Sequence, residues 1–438
     1  MSSLDSVETR VSDLEIGMYV SALDRPWAET PFLMQGFYVA SQQDIEELER
    51  HCRHVFVDVF RSRSRAIPRR GPLVGAPVTH ARLAASAGPA APSGGGVQFK
   101  SRDGNAGALL FPHRKLKKHD DAAGGIQKEM GVAKKVHAEL SSAVDEMFAE
   151  FHSSNVLNVS GVRAAADPMV DSVIRNPDAC VWLARMKNED SYTFRHSVGA
   201  SIWAVALGRQ LGLPRVDLQR LALGALLFDV GKLRIPSELL QKRERLSRGE
   251  YELLKSHVGF GMDMLGNTGL LNRSVSEMVE YHHERHGGHG YPHGLSGNDI
   301  PVVARIAGIV DCYDAITSRR PYAEPISPSH AVKKLYAWRD IDFQAELVEE
   351  FIQAIGIYPA GTVVELSSGE VGVVLAEYRA RRLRPQVLIL LDRDKRPLRD
   401  PKPLDLLTTT HDEDGRPLEI ATSLEPGAYG VDIEAVSI

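Results

Sequence analysis

Four stretches of this 438-residue chain carry histidine or aspartate where a helix would bury its apolar face. In LSRGEYELLKSHVGFGMDML, the residues Leu253, Leu254, His257, Val258 and Met262 share one side of a 3.6-residue period. SVSEMVEYHHERHG repeats the pattern with Val275, Met278, Val279, His282 and His283. PVVARIAGIVDCYDAIT has Val303, Ala307, Val310, Asp311 and Asp314, and in YTFRHSVGASIWAVAL His196 lies with Gly199, Ala200 and Trp203. A fifth stretch, GALLFDVGKLRIP, puts Ala225 and Phe228 in line with the preceding Leu221, on an apolar face that Asp229 continues. One such histidine is ordinarily a hydrogen-bonded core residue. Five segments together predict a metal site, because buried carboxylates and imidazoles are stable when they share an ion.

The donor types narrow the chemistry. The three cysteines, Cys52, Cys180 and Cys312, are far apart and form no C-x-x-C pair. Imidazole and carboxylate therefore supply the ligands, a set that suits iron, manganese, nickel or zinc. Two ions joined by a bridging carboxylate would stabilise both the attacking and the leaving oxygen of a phosphoryl transfer. Lys232, one turn after Asp229, either reaches a phosphate or faces solvent at a helix end; spacing alone leaves both open. HHERHGGHGYPHG adds His286, His289 and His293, either further ligands or exposed loop residues.

These side chains need a helical scaffold, and the pattern supplies one. Ser247 and Glu250 form a capping-box pair that starts a helix. Ile126, Met130, Val136, Leu140, Val144, Met147 and Phe151 mark a long apolar stripe, and helical segments continue to about residue 355. The fold expected is mainly α, with a helical domain over residues 122–355. Residues 1–62 read as a small α+β domain, with strands in GMYVSAL, GFYVAS and HVFVDVF and a helix in QQDIEELERHC. Residues 63–121 read as a flexible linker, rich in arginine and then in Ala, Gly, Pro and Ser. Residues 356–438 read as a β-rich segment, from GTVVELSSGEVGVVL and RPQVLILLD. A formal net charge of −5 gives no sign of a nucleic-acid polymer as partner. No run approaches the ~18 apolar residues of a membrane span, and no secretory signal is visible, so a cytoplasmic protein is expected.

The order of these motifs resembles the HD-GYP family, HD-superfamily phosphodiesterases that hydrolyse cyclic di-GMP. The residues that carry the resemblance are His196 in YTFRHSVG, Asp229 and Lys232 in FDVGKLRIP, and His257 in KSHVGFGMDML. They continue with His282, His283 and Glu284, then Gly290, Tyr291 and Pro292, then Asp311 in ARIAGIVDCYDAITSRRPY. The match covers residues 185–340. Residues 10–60 also resemble the small uncharacterised N-terminal domain often joined to such modules. The resemblance implies a divalent metal centre, with one or two ions per chain. Its ligands would be His196, Asp229, His257, His282, His283 and Asp311, with Asp229 bridging. It assigns Lys232 to the scissile phosphate, and Gly290, Tyr291, Pro292 and Arg320 to the dinucleotide, which is opened to its linear form. It further implies contacts with diguanylate cyclases or other signalling proteins through the GYP loop.

Four positions depart from the family pattern. Phe228 stands where the namesake histidine precedes Asp229, Gly287 where the loop has an acid, Ala323 where a base is common, and Tyr192 where a trinuclear subgroup has glutamate. By the family's coordination pattern, Asp229, His257, His282 and His283 would surround one ion, leaving His196, Asp229 and Asp311 for the other. Two functions are then expected: a phosphodiesterase weakened by Phe228, or a catalytically degenerate domain serving as a nucleotide-sensing or protein-interaction module.

Overall fold

Short β-branched and aromatic runs build the first of two compact units. The structure is a computed structural model. It describes residues 6–24, 37–39, 42–58, 106–120, 125–185, 192–244, 246–269, 272–318, 324–378, 381–433 and 436. In the first unit, strands β1 (Ser6–Arg10), β2 (Tyr19–Leu23), β3 (Phe37–Tyr38) and β4 (His54–Asp58) form an antiparallel sheet of order β1-β4-β2-β3. Helix α1 (Gln42–His51) buries Ile45 and Leu48. Val55 and Val57 alternate inward along β4, as a period of two requires. The polar strand β1, SVETR, carries no such apolar run and was not expected.

The second unit opens with α2 (Ala106–Leu110), inside the stretch that composition marks as linker. Residues 106–120 are ordered there: Lys117 N–H donates to Gly212 O at 2.9 Å, and His119 Nε2 lies 2.8 Å from Leu213 O. Residues 63–105 lie outside the described set. Helices α3 (Gly125–Ser154), α4 (Ser160–Arg175) and α5 (Pro177–Arg185) lead into α6 (Tyr192–Gln210) and α7 (Arg215–Leu227). Then come α8 (Ser237–Leu240), α9 (Arg248–Lys255), α10 (His257–Gly266), α11 (Arg273–Tyr281) and α12 (Val302–Thr317). Helices α13 (Pro328–Ala337) and α14 (Ala345–Ile355) close the bundle.

α12 is the axis of the site. Every residue from Ala304 to Ile316 except Arg305 is buried, the sign of a helix enclosed on all sides. α6 packs on α7 and α12, while α11 packs on α7 and α12 from the other side. The early turns of α6, the ends of α7 and α11 and the middle of α12 meet at the site.

One expectation needs correction. The stripe from Leu253 to Met262 predicts one helix, but the chain breaks it at Ser256, so α9 and α10 are separate. Leu253 is 41% exposed, and α9 buries no residue fully. The Ser256 hydroxyl donates to Leu253 O at 2.6 Å, a local bond that competes with the helix ladder. The break places His257 at the first position of α10. The capping box of Ser247 and Glu250 is present as expected.

The last part of the unit is a five-stranded antiparallel sheet of order β8-β7-β6-β5-β9. Its strands are β5 (Val363–Leu366), β6 (Val371–Ala376), β7 (Gln386–Leu391), β8 (Pro397–Asp405) and β9 (Ile420–Ser423). Val364, Val374, Val387, Ile389 and Leu406 form its core. The architecture is mainly α with a small sheet at each end, as the sequence patterns predict.

Candidate metal centre

The site begins with Asp229, just past the end of α7. It is 4% exposed. Its Oδ2 accepts from Lys232 Nζ at 2.5 Å, while Oδ1 is buried and makes no hydrogen bond. Oδ1 faces His257 Nε2 at 3.4 Å and His282 Nε2 at 3.7 Å. Leaving a buried carboxylate oxygen unmade costs ~1–3 kcal/mol or more, so this orphan oxygen among imidazoles fits a cation. The turn carrying Asp229 lies hard against α10. A Cβ on Gly231 would stand 1.9 Å from His257 O and 2.5 Å from Gly261 N, so glycine is required there.

Three histidines present the same face inward. His257 Nδ1 donates to Leu254 O at 2.7 Å, and His282 Nδ1 donates to Val279 O at 2.9 Å. His196 Nδ1 donates to Asp314 Oδ2 at 2.7 Å. Each ring thereby turns Nε2 toward Asp229, the orientation a metal-ligating imidazole needs. His196 Nε2 lies 2.9 Å from Asp311 Oδ1 and 3.8 Å from Asp229 Oδ2. Asp314 is fully buried and also accepts from Trp203 Nε1 at 3.0 Å and Ser318 Oγ at 3.2 Å.

Two ligand sets result. The donor atoms of Asp229, His257, His282 and His283 lie within 4.8 Å of one another, and so do those of His196, Asp229 and Asp311. Phe228, wholly buried, lies beside a member of each, its ring 4.9 Å from that of His282 and 5.8 Å from that of His196. The first set has four donors. The second has three and a phenyl wall.

Electrostatics separate the two sets. Burial pushes His257 down to about 4, with Lys232 and His282 adding to it, and burial likewise holds His283 well below the ordinary imidazole range. His196 goes the other way. Burial alone would lower it, but the hydrogen-bonded carboxylates of Asp311 and Asp314 raise it. Burial alone would also raise Asp229, yet Lys232 and the imidazoles of His282 and His257 hold it well below the carboxylate range. In the first set, His257 and His283 therefore offer neutral imidazoles to a cation.

The motif loop covers this centre. Tyr291 stacks on His283, with ring centres 4.6 Å apart and planes 26° apart. The Tyr291–Pro292 peptide is cis. A Cβ on Gly290 would sit 2.4 Å from Arg285 N, so the chain passes too closely for any side chain there. The Glu284 carboxylate gathers the N–H groups of His293 (2.7 Å), Gly294 (3.1 Å) and Leu295 (2.9 Å), folding the loop back on itself.

All six residues predicted as ligands meet in one place, with Lys232 on Asp229 and Gly290, Tyr291 and Pro292 beside them. Arg320 and Ala323 lie outside the described residues, as does the side chain of Tyr192. His286, His289 and His293 belong to neither ligand set. His289 pairs with Asp342 (2.6 Å) and His293 with Glu280 (3.1 Å). The structure adds Asp314 and Trp203, which hold His196, and Glu284, which holds the loop. Asp314 was on the predicted stripe, one turn beyond Asp311, but had no role assigned.

A helical bundle that buries a cluster of His and Asp describes an HD domain, and residues 179–345 match that family, the HD domain. Before it, residues 6–162 match a domain of unknown function (DUF3391), and after it residues 363–411 match the KOW domain associated with HD domain. Cyclic di-GMP phosphodiesterase PA4108 of Pseudomonas aeruginosa is 31% identical over 391 residues, 89% of this chain and 86% of its own. The cyclic di-GMP phosphodiesterase response regulator RpfG of Xanthomonas campestris is 36% identical over 150 residues, 34% of this chain and 39% of its own. A 3'3'-cGAMP-specific phosphodiesterase 2 of Vibrio cholerae is 30% identical over 162 residues, 37% of this chain and 31% of its own. The chain belongs to the HD-GYP family.

Proposed function

We propose that this protein hydrolyses cyclic di-GMP to the linear dinucleotide, slowly, at a centre that holds one divalent ion tightly and a second weakly. The observation that carries the reading is the unequal pair of ligand sets sharing Asp229, four donors in one and three in the other. Iron, manganese, nickel and zinc all suit these donors. A bound ion supplies Lewis acidity, making water a better nucleophile near neutral pH and offsetting charge at phosphorus.

The chain's own residues do the rest. Asp229 belongs to both sets and bridges them. Lys232, its side chain 23% exposed at the edge of the site, neutralises Asp229 one turn before it and would reach a phosphate bound there. Asp314 keeps His196 in the tautomer whose Nε2 faces the centre. Tyr291 offers an aromatic face for a purine, and Lys255 Nζ lies 5.6 Å from its ring centre, close enough to meet a phosphate. Arg320 completes the dinucleotide contacts in this reading. Residues 122–355 form the catalytic domain, between an N-terminal domain (1–62) and a C-terminal segment (356–438). Pro292, His293 and Gly294 are exposed, and a signalling partner such as a diguanylate cyclase would dock there. Cys52, Cys180 and Cys312 are buried and not joined in a disulfide, which suits a reducing cytoplasm. No described helix is long and apolar enough to cross a membrane.

The test is metal content and turnover of the purified full-length chain with cyclic di-GMP and 3'3'-cGAMP side by side. One tightly held ion per chain and slow conversion of cyclic di-GMP are expected. Faster conversion of 3'3'-cGAMP would reassign the substrate. Phe228 favours one second reading, a domain that binds the nucleotide without cleaving it. Saturable binding with no product over many hours would establish that reading in place of the first.

A further inference from the structure

The motif loop is braced from outside by a carboxylate that no step above uses. Gly287 stands where the family pattern has an acid, and the space around it shows why an acid does not fit. A Cβ on Gly287 would lie 2.8 Å from Ile341 O and 3.1 Å from His289 Nδ1. The turn after α13, residues 338–343, closes on the loop from that side. His286 N–H donates to Asp342 O at 2.9 Å and Gly287 N–H to Ile341 O at 2.8 Å. The Arg285 guanidinium lies 5.3 Å from the Phe343 ring centre. A side-chain bond completes the contact: His289 Nε2 meets Asp342 Oδ1 at 2.6 Å, with the Asp342 side chain only 7% exposed.

The loop is thus held between two buried carboxylates, Glu284 from within and Asp342 from beyond it. The same loop carries His283, a member of the four-donor set, and Tyr291, stacked on it two residues after His289. We propose that Asp342, acting through His289, is a positioning residue that fixes His283 and Tyr291 against the metal centre. It supplies from a distant turn the carboxylate that the loop itself lacks at Gly287. The consequence for metal affinity rests on the function proposed above; the brace itself does not.

The test uses the full-length chain stripped of metal, with amide hydrogen exchange followed in residues 282–297 and Mn²⁺ affinity then measured by titration. Asp342→Ala and His289→Ala are each expected to speed loop exchange by about tenfold and to weaken the tighter Mn²⁺ site by ~10–100-fold. Exchange in α6 and α12 stays unchanged. The double variant matches either single, because both remove the same interaction. Asp342→Asn keeps an oxygen that accepts from Nε2–H and retains most of the protection. Unchanged loop exchange in both single variants overturns the proposal. So does a double variant whose effect is the product of the two, or a loss of protection shared evenly by the helices. If the unmodified chain takes up no Mn²⁺, the metal reading fails, and the exchange data still decide the brace.

Discussion

Replacing Phe228 with histidine tests the inequality of the two ligand sets directly. Its ring lies 5.8 Å from that of His196 and 4.9 Å from that of His282, so an imidazole there would be placed to reach an ion held by the three-donor set. Losing even a partner behind a ligand costs ~10–100-fold in metal affinity, and adding a ligand should return at least that. The second ion should tighten by ~10–100-fold, about 1.4–2.7 kcal/mol. Without metal the sign reverses. Phe228 is fully buried, and an imidazole lacking a partner there costs ~1–3 kcal/mol. At roughly 2–4 °C per kcal/mol, the metal-free variant should melt several degrees lower. Saturating Mn²⁺ should reverse that deficit, since an ion bound only by the folded state stabilises it. Metal content, Mn²⁺ titration, melting with and without chelator, and cyclic di-GMP turnover form the assay. A variant whose second-ion affinity is unchanged would refute the reasoning, as would unmodified protein already holding two ions tightly.

Acidity should empty the sets in order. His196 has its pKa raised and so keeps its proton to higher pH, while His257 (about 4) and His283 are lowered and stay neutral further into acid. As pH falls from 8, the ion at His196 should dissociate before the one at His257, read as stoichiometry against pH; the reverse order contradicts the assignment. Gly231→Ala should destabilise the chain by ~1–3 kcal/mol or more through overpacking against His257 O, and should cost metal affinity as Asp229 moves. Wild-type melting and affinity in that variant would show that the turn is not in close contact. Cys180, buried and pushed up to about 12, should resist alkylation in the native chain at pH 8. Labelling there at the rate of a free thiol would contradict its burial.

The site was legible wherever a polar ligand ended an apolar period. His282, Asp311 and Asp229 each follow buried residues at helical spacing, so pattern alone singles them out. Family motif order then brought the six together. What pattern could not supply was direction. Capping-box and stripe signals ran one helix through Ser256, because a side-chain bond that breaks a helix leaves the hydrophobic period intact. Asp342 lies 53 residues from His289, and no local signal connects a turn carboxylate to a loop so distant. β1 was missed because SVETR gains its strand character from pairing with β4 rather than from its own residues. Order in residues 106–120 was hidden for the same reason: partners near Gly212 supply it, and composition does not record partners.

Trp203 holds Asp314, and Asp314 holds His196. An indole is therefore hydrogen-bonded to the same carboxylate that orients the weaker ligand set. In the metal centre proposed above, its emission should respond to the charge on that carboxylate and be quenched by a paramagnetic ion bound beside His196. Trp203 is thus expected to act as an optical gauge of whether the three-donor set is filled, read as the emission change that a Trp203→Phe variant loses.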